Sequence, residues 1–235
     1  MRRFLSAVSA GVPAGAALFF LHAPLAAAQE ADPVIFESED GSDGGSTDYG
    51  ILVGTFTADL GGSDFGLYGL AGALVGDVEG GLASLGVTYD PDVKVLGGNA
   101  FVRVGYLGVY DESTPSRPDP QDDRARLELH WNRTFGDVTL QHRSRFEHRF
   151  RDIDDQTRYR PRLRAVLNND RTVSPFVSAE LFYAFQSEDV QLLLGEAGVR
   201  VALSDRWSLS GSYLTNVAFD DSKTNIGLLA LSTRF

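Results

Sequence analysis

The residues best suited to chemistry are arginines set at every second position. Arg124 and Arg126 share one face of a segment with Glu128, His130 and Asn132, while Ala125, Leu127, Leu129 and Trp131 take the other. A second segment puts Arg143, Arg145, Glu147, Arg149 and Arg151 on one side. A third puts Arg158, Arg160, Arg162 and Arg164 opposite Tyr159, Leu163 and Ala165. Side chains alternate across a β-strand, so each segment is a strand with one charged and one apolar face. The guanidinium fork suits carboxylate and phosphate bidentately, and ladders of arginine select anions in pores. The expected chemistry is recognition of small anionic solutes along a wall made by neighbouring strands. Arg103 and Arg200 extend its field, and Glu128, Glu147, Glu180 and Glu196 fall on the same faces as counter-charges.

Two readings of this wall compete. In one it lines a channel or binding site; in the other the arginines and glutamates fill and close a small barrel. Between residues 124 and 164 stand eleven arginines and two glutamates. A surplus of that size is costly to bury away from water or counterions, which favours the channel or binding site. An enzyme is the third class. His142, Ser144 and His148 lie on one strand face, the place where a lipid-modifying barrel could hold them. A Ser–His pair needs hydrogen-bond reach, whereas positions two apart on a strand are separated by roughly 6–7 Å. That spacing, with no GxSxG or HExxH motif and four histidines in all, argues against catalysis and against a metal. No cofactor is expected.

The ends of the chain say where such strands belong. Arg2 and Arg3 precede an apolar run from Phe4 to Leu25, and Ala26-Ala27-Ala28 then meets Gln29. A basic start, an apolar middle and small residues make a secretory signal peptide over residues 1–28, with cleavage expected after Ala28. The chain stops on Thr233-Arg234-Phe235, and a last strand ending in phenylalanine suits recognition by the barrel assembly machinery of the bacterial outer membrane. Cysteine is absent, so neither disulfides nor thiol chemistry enter. Acids crowd into Glu37–Asp48, Asp111–Asp123 and Asp152–Asp155, giving a net charge of −11. Nucleic acid is excluded as a partner, because phosphate binding needs an exposed basic surface.

Turn signals cut the rest into segments at about 50–60, 64–76, 80–90, 98–111, 122–135, 138–151, 157–167, 174–186, 190–203, 206–219 and 223–235. Tight links such as Gly61-Gly62-Ser63 alternate with longer ones such as Asp111–Asp123, the pattern of short periplasmic turns and long outer loops. Trp131, Phe135, Tyr183, Phe185, Trp207, Tyr213 and Phe235 fall on the apolar faces, as interfacial girdles require. The fold class is all-β: a transmembrane, antiparallel up-and-down barrel over residues 49–235, preceded by an acidic segment over 29–48. Bacterial barrels have an even strand count. Making Pro33–Ser38 a short first strand gives twelve; misread cuts in the glycine-rich Gly61–Gly108 stretch would give ten.

Three stretches carry a family likeness: Asp123 to Trp131 (DRARLELHW), Leu140 to Phe150 (LQHRSRFEHRF) and Arg158 to Arg164 (RYRPRLR). With Ala179 to Phe182, Gly198 to Arg200 and Ser210 to Leu214, they resemble the bacterial outer-membrane proteins grouped as domain of unknown function 2490, over about residues 100–235. The resemblance implies a barrel in outer-membrane lipid and brings no activity. A looser similarity, resting on arginine alternation and size, is to porins for acidic oligosaccharides of the oligogalacturonate type.

Overall fold

A computed structural model describes residues 46–76, 80–111, 121–150, 155–167, 172–218 and 223–235. The signal segment, Ala28, the acidic 29–45 stretch and Arg151 lie outside the described residues. Eleven strands follow in chain order: β1 (Ser46–Asp59), β2 (Phe65–Gly76), β3 (Gly80–Val95), β4 (Gly98–Asp111), β5 (Gln121–Phe135), β6 (Val138–Phe150), β7 (Gln156–Leu167), β8 (Val173–Ala184), β9 (Asp189–Ala202), β10 (Trp207–Ala218) and β11 (Lys223–Arg234). Each pairs with its sequence neighbours, and β1 pairs with β11 to close the barrel.

The strands are the eleven segments that the turn signals delimit. The count is neither twelve nor ten, and the reason is the seam. In an up-and-down chain an odd number of strands leaves the first and last running the same way, so β1 and β11 meet in parallel, from Ser46↔Lys223 to Thr57↔Arg234. Parallel pairing is slightly weaker per residue. Here it is reinforced by a buried Thr55–Ser232 hydrogen bond of 2.8 Å and by the Phe235 amide donating to Thr57 O at 2.8 Å. Because β1 sits directly on β11, the ring closes without Pro33–Ser38.

One end of the barrel carries tight hairpins. At the β1–β2 turn Gly61 and Gly62 adopt φ of 60° and 77°, a region open to glycine at no steric cost. The other end carries the 112–120 link; these are the hairpin end and the loop end below. A second glycine role is close approach. The Tyr68 ring of β2 lies across Gly86 of β3 and Gly105 of β4, where an added Cβ would overlap it.

Alternation sorts the strands strictly. Many outward positions are large and apolar and stand in the open: Leu85 is 60% exposed, Val104 58%, Leu163 54% and Tyr213 56%. Inward positions over most of the barrel's length are buried whether apolar or charged. No helix among the described residues is long and apolar enough to cross a membrane; strands are the elements that can. The interior itself is divided. Ile51, Leu74, Leu82, Val109, Leu192, Leu214 and Ile226 belong to one buried apolar cluster, placed by the strand directions toward the loop end. At the hairpin end inward residues such as Arg103, His130, Gln141, Arg200 and Ser210 are half-exposed.

Gly105→Val should lower unfolding stability in detergent by about 1–3 kcal/mol, the usual cost of overpacking. Gly227→Val, where an added Cβ meets nothing within 4 Å, should leave it unchanged. Denaturant titrations of the two variants make the comparison, and equal effects would remove the Tyr68 cradle from the account.

Candidate anion-binding wall

The charged wall is built by β5, β6 and β7, with β8 and β9 supplying its edge. Register puts like charges opposite one another: Arg124↔Arg149, Arg143↔Arg162 and Arg145↔Arg160. Directly opposed like charges destabilise a sheet. The carboxylates relieve this from both direct and diagonal positions: Glu128 is opposite Arg145, Glu147 opposite Arg158 and Glu180 opposite Arg162. Glu180 accepts from Arg143 Nη2 at 2.7 Å and from Arg160 Nε at 2.9 Å. Glu128 lies 2.6 Å from Arg145 Nη2 and also accepts from Arg145 Nε at 2.7 Å. Glu147 bridges Arg160 Nη1 at 3.1 Å and Arg124 Nη1 at 3.5 Å.

Toward the loop end Asp122 closes the pattern, taking Arg124 at 2.6 Å and also Arg149. Toward the hairpin end Glu196 lies 3.4 Å from Arg164 and accepts from Ser178 and Ser212, each at 2.8 Å. Two guanidiniums also stack on aromatic faces: Arg160 lies 4.1 Å from the centre of the Phe182 ring and Arg164 3.7 Å from that of Phe176. Such cation–π contacts strengthen when desolvated.

All the sequence-derived wall residues within the described set face inward. Arg124, Arg126, Arg143, Arg145, Arg149, Arg158, Arg160, Arg162 and Arg164 are buried, and so are Glu128, Glu147, Glu180 and Glu196. These nine arginines stand against five inward carboxylates, the four glutamates and Asp122. Arg126 touches Ser84 of β3, so the wall reaches past β4. Arg200 stands apart: it is half-buried on β9, in register with Ser174 and Ser210, one pair beyond Gly198 from Glu196.

His130, which the sequence places on the charged face as an interior hydrogen-bonder, is tied to Glu128 at 2.7 Å and stacks on Phe101 at 4.5 Å. Two features escape the sequence reading. Asp122 reads there as part of an acidic loop, yet it caps the wall. The apolar cluster is the second, and its signal is present: Ile226-Gly-Leu228-Leu-Ala230-Leu is apolar at both parities, as a strand buried on both faces requires. One spacing argument is corrected. His142 Nε2 and Ser144 Oγ are 3.0 Å apart, because the imidazole spans the gap along the strand that the Cα spacing leaves. Among the described residues no cluster of three metal-ligating side chains occurs.

Glu180→Gln should cost about 3–5 kcal/mol in unfolding free energy, the penalty for breaking a buried pair from one side. Adding Arg143→Leu to that variant should recover part of the loss. A double variant no more stable than Glu180→Gln alone would show that Glu180 does not serve Arg143.

No curated protein and no solved structure matches this chain, so the looser likeness to acidic-oligosaccharide porins gains no support. Residues 77–226, from the link before β3 into β11, match a single family description. With well over half its length matched and the barrel in place, the chain belongs to the family described as protein of unknown function DUF2490.

Proposed function

We propose that this protein is a bacterial outer-membrane barrel that binds small anionic solutes along its arginine wall, taking them in from the hairpin end. The carrying observation is the density of guanidinium groups: nine buried arginines on three adjacent strands, with five inward carboxylates among them. Arginine presents its donors as a fixed fork, so a carboxylate or phosphate entering the wall is held by geometry as well as charge. The interior favours binding over passage. The apolar cluster at the loop end offers an anion neither charge nor hydrogen bonds.

The membrane address rests on the outward belt. Leu127, Leu129, Phe146 and Leu163 stand about half exposed, and an apolar surface of that extent marks a lipid or protein partner. In this reading residues 1–28 are a signal peptide removed after Ala28, the loop end faces outward, and the hairpin end faces the periplasm. Strand β11, running to Phe235 with Leu229 and Leu231 outward, is what the assembly machinery would recognise. Anion binding by the wall breaks no bond and uses no cofactor.

Inorganic phosphate and citrate should raise the thermal midpoint of the refolded protein above that in sodium chloride of equal ionic strength. The expected gain follows ligand linkage, about 2.7 kcal/mol at a hundredfold excess over Kd. Arg164→Gln with Arg200→Gln should abolish it. No anion-specific shift in folded protein would leave a closed barrel of structural or surface role as the answer.

Planar-bilayer recording in a potassium chloride gradient should give no stepwise conductance, since the loop end holds the buried apolar cluster beside the paired Asp122, Arg124 and Arg149. Steps with a chloride-selective reversal potential would instead make the wall a channel. Arg158→Glu with Arg160→Glu should then weaken or reverse that selectivity.

A further inference from the structure

The outward face of the barrel holds a second constellation that the anion reading does not use. On β6, His142 Nε2 lies 3.0 Å from Ser144 Oγ. From β7, the Tyr159 hydroxyl lies 3.1 Å from the same Ser144 oxygen. All three side chains are half-buried and therefore reachable from the surrounding phase. Their outward neighbours Leu129 and Leu163 are 51% and 54% exposed, so the trio interrupts an apolar belt. Polar groups turned toward hydrocarbon are expensive, and alanine or leucine would fit each position without that cost.

Depth gives the trio a chemical context. His142 pairs with Trp131, and Ser144 with Leu129. Trp131 is pinned toward the hairpin end by its indole N–H, which donates to Val95 O at 2.7 Å; tryptophan marks a membrane–water interface. From Asp123 to Trp131 the strand has about the length of a bilayer crossing, roughly 9–11 residues. The Ser–His pair thus sits at or just inside the interface on the hairpin side, the level of the ester carbonyls of a lipid leaflet. Across β7 the floor is unusual as well: Ser144 faces Pro161, and the β7–β8 pairing skips from Tyr159 to Arg162. Proline has no N–H to give the ladder.

We infer that Ser144, His142 and Tyr159 form a lipid-facing site for acyl-ester cleavage, acting on glycerolipid esters of the periplasmic leaflet. This rests on the membrane reading above and is independent of anion binding. With His142 carrying its proton on Nδ1, Nε2 accepts the Ser144 proton as Oγ attacks the ester carbonyl. The Tyr159 O–H donates to the oxyanion that forms. Collapse breaks the bond to the alkoxy oxygen, which leaves as the alcohol with the proton from His142. Interfacial water then attacks the acyl-Ser144 ester with His142 again as base, releasing the fatty acid and restoring the serine. Ester and water are consumed; acid and alcohol are formed.

The test uses the refolded full barrel in vesicles of phosphatidylethanolamine and phosphatidylglycerol, with hexadecyl fluorophosphonate as probe. Wild-type protein should gain one phosphonyl adduct, with loss of fluoride, mapped by peptide mass to Ser144. Ser144→Ala should gain none. His142→Gln should label about 10²-fold more slowly, the scale of a lost general base. His148→Gln should label like wild type, because His148 is engaged with Thr157 at 2.9 Å away from the trio. Heat-modifiable gel mobility confirms folding in each, and fatty-acid release from the vesicles should follow the same order. Folded, vesicle-bound wild type without adduct or fatty-acid release would overturn the ester site and leave the membrane reading standing. Equal labelling in His142→Gln would do the same. Folded protein that fails to float with vesicles would overturn both.

Discussion

A buried guanidinium must meet opposite charge, and in this barrel that requirement fixes the alignment of three strands. Glu128, Glu147 and Glu180 each have to meet arginines of a neighbouring strand, and in the register observed they do. Because side chains alternate with a period of two, a slip by one residue would turn Arg143, Arg145 and Arg149 outward and bring Phe146 inside. In lipid such a slip costs several kcal/mol per arginine near the midplane. Charge inside and an apolar belt outside therefore specify the same register, each excluding the alternatives the other would tolerate.

The rest of the ring adjusts to that wall. Strands β1, β2, β10 and β11 carry small or aliphatic inward residues, among them Val53, Leu70, Ala230 and Ser232, and they absorb the seam. An even ring would close antiparallel; this one accepts a parallel contact away from the buried charged wall, where the ion pair across the seam, Arg234 with Asp59 at 3.7 Å, is partly exposed. Glycine serves the same economy of space on the far side. Tyr68 can lie flat only because Gly86 and Gly105 present bare backbone beneath it, and Arg103 in turn sits 5.1 Å from the centre of its ring.

How much of this was legible depended on the strength of alternation. In β5, β6 and β7 the faces differ so sharply that the inward arginines and glutamates among the described residues could be assigned from sequence. In β9 to β11 both faces are apolar, so sequence parity could not show that Leu192, Leu214 and Ile226 pack inside and Leu193 and Leu229 outside. The eleven strands among the described residues fall between the ten and the twelve expected, because parity of the count is a rule about closure, and closure is a property of the ring that no single strand reveals. Asp122 and Ser144 were obscured by local readings. An acid next to a polar loop looks solvated, and a Cα spacing along a strand says little about how far an imidazole reaches.

These features divide the barrel's chemistry by surface. Inside, the wall holds its charges with carboxylates along most of its length, and toward the hairpin end half-buried Arg200 lies beyond buried Arg164 and Glu196. Wall and apolar cluster lie side by side at the loop end, where Asp122, Arg124 and Arg149 on β5 and β6 stand beside the aliphatic side chains of the other strands. Outside, the apolar belt is interrupted by a few polar groups, among them His148 with Thr157 and the trio of His142, Ser144 and Tyr159. An outward polar trio persists only if its hydrogen bonds offset the desolvation of three groups, and Ser144 is the hub whose removal leaves both other members without that bond. The inner wall and the outer trio share strands β6 and β7, alternating residue by residue: Arg143 and Arg145 flank Ser144 in sequence and point the opposite way. The register that the buried ion pairs enforce is thus also what holds serine and histidine on the outer face of the barrel.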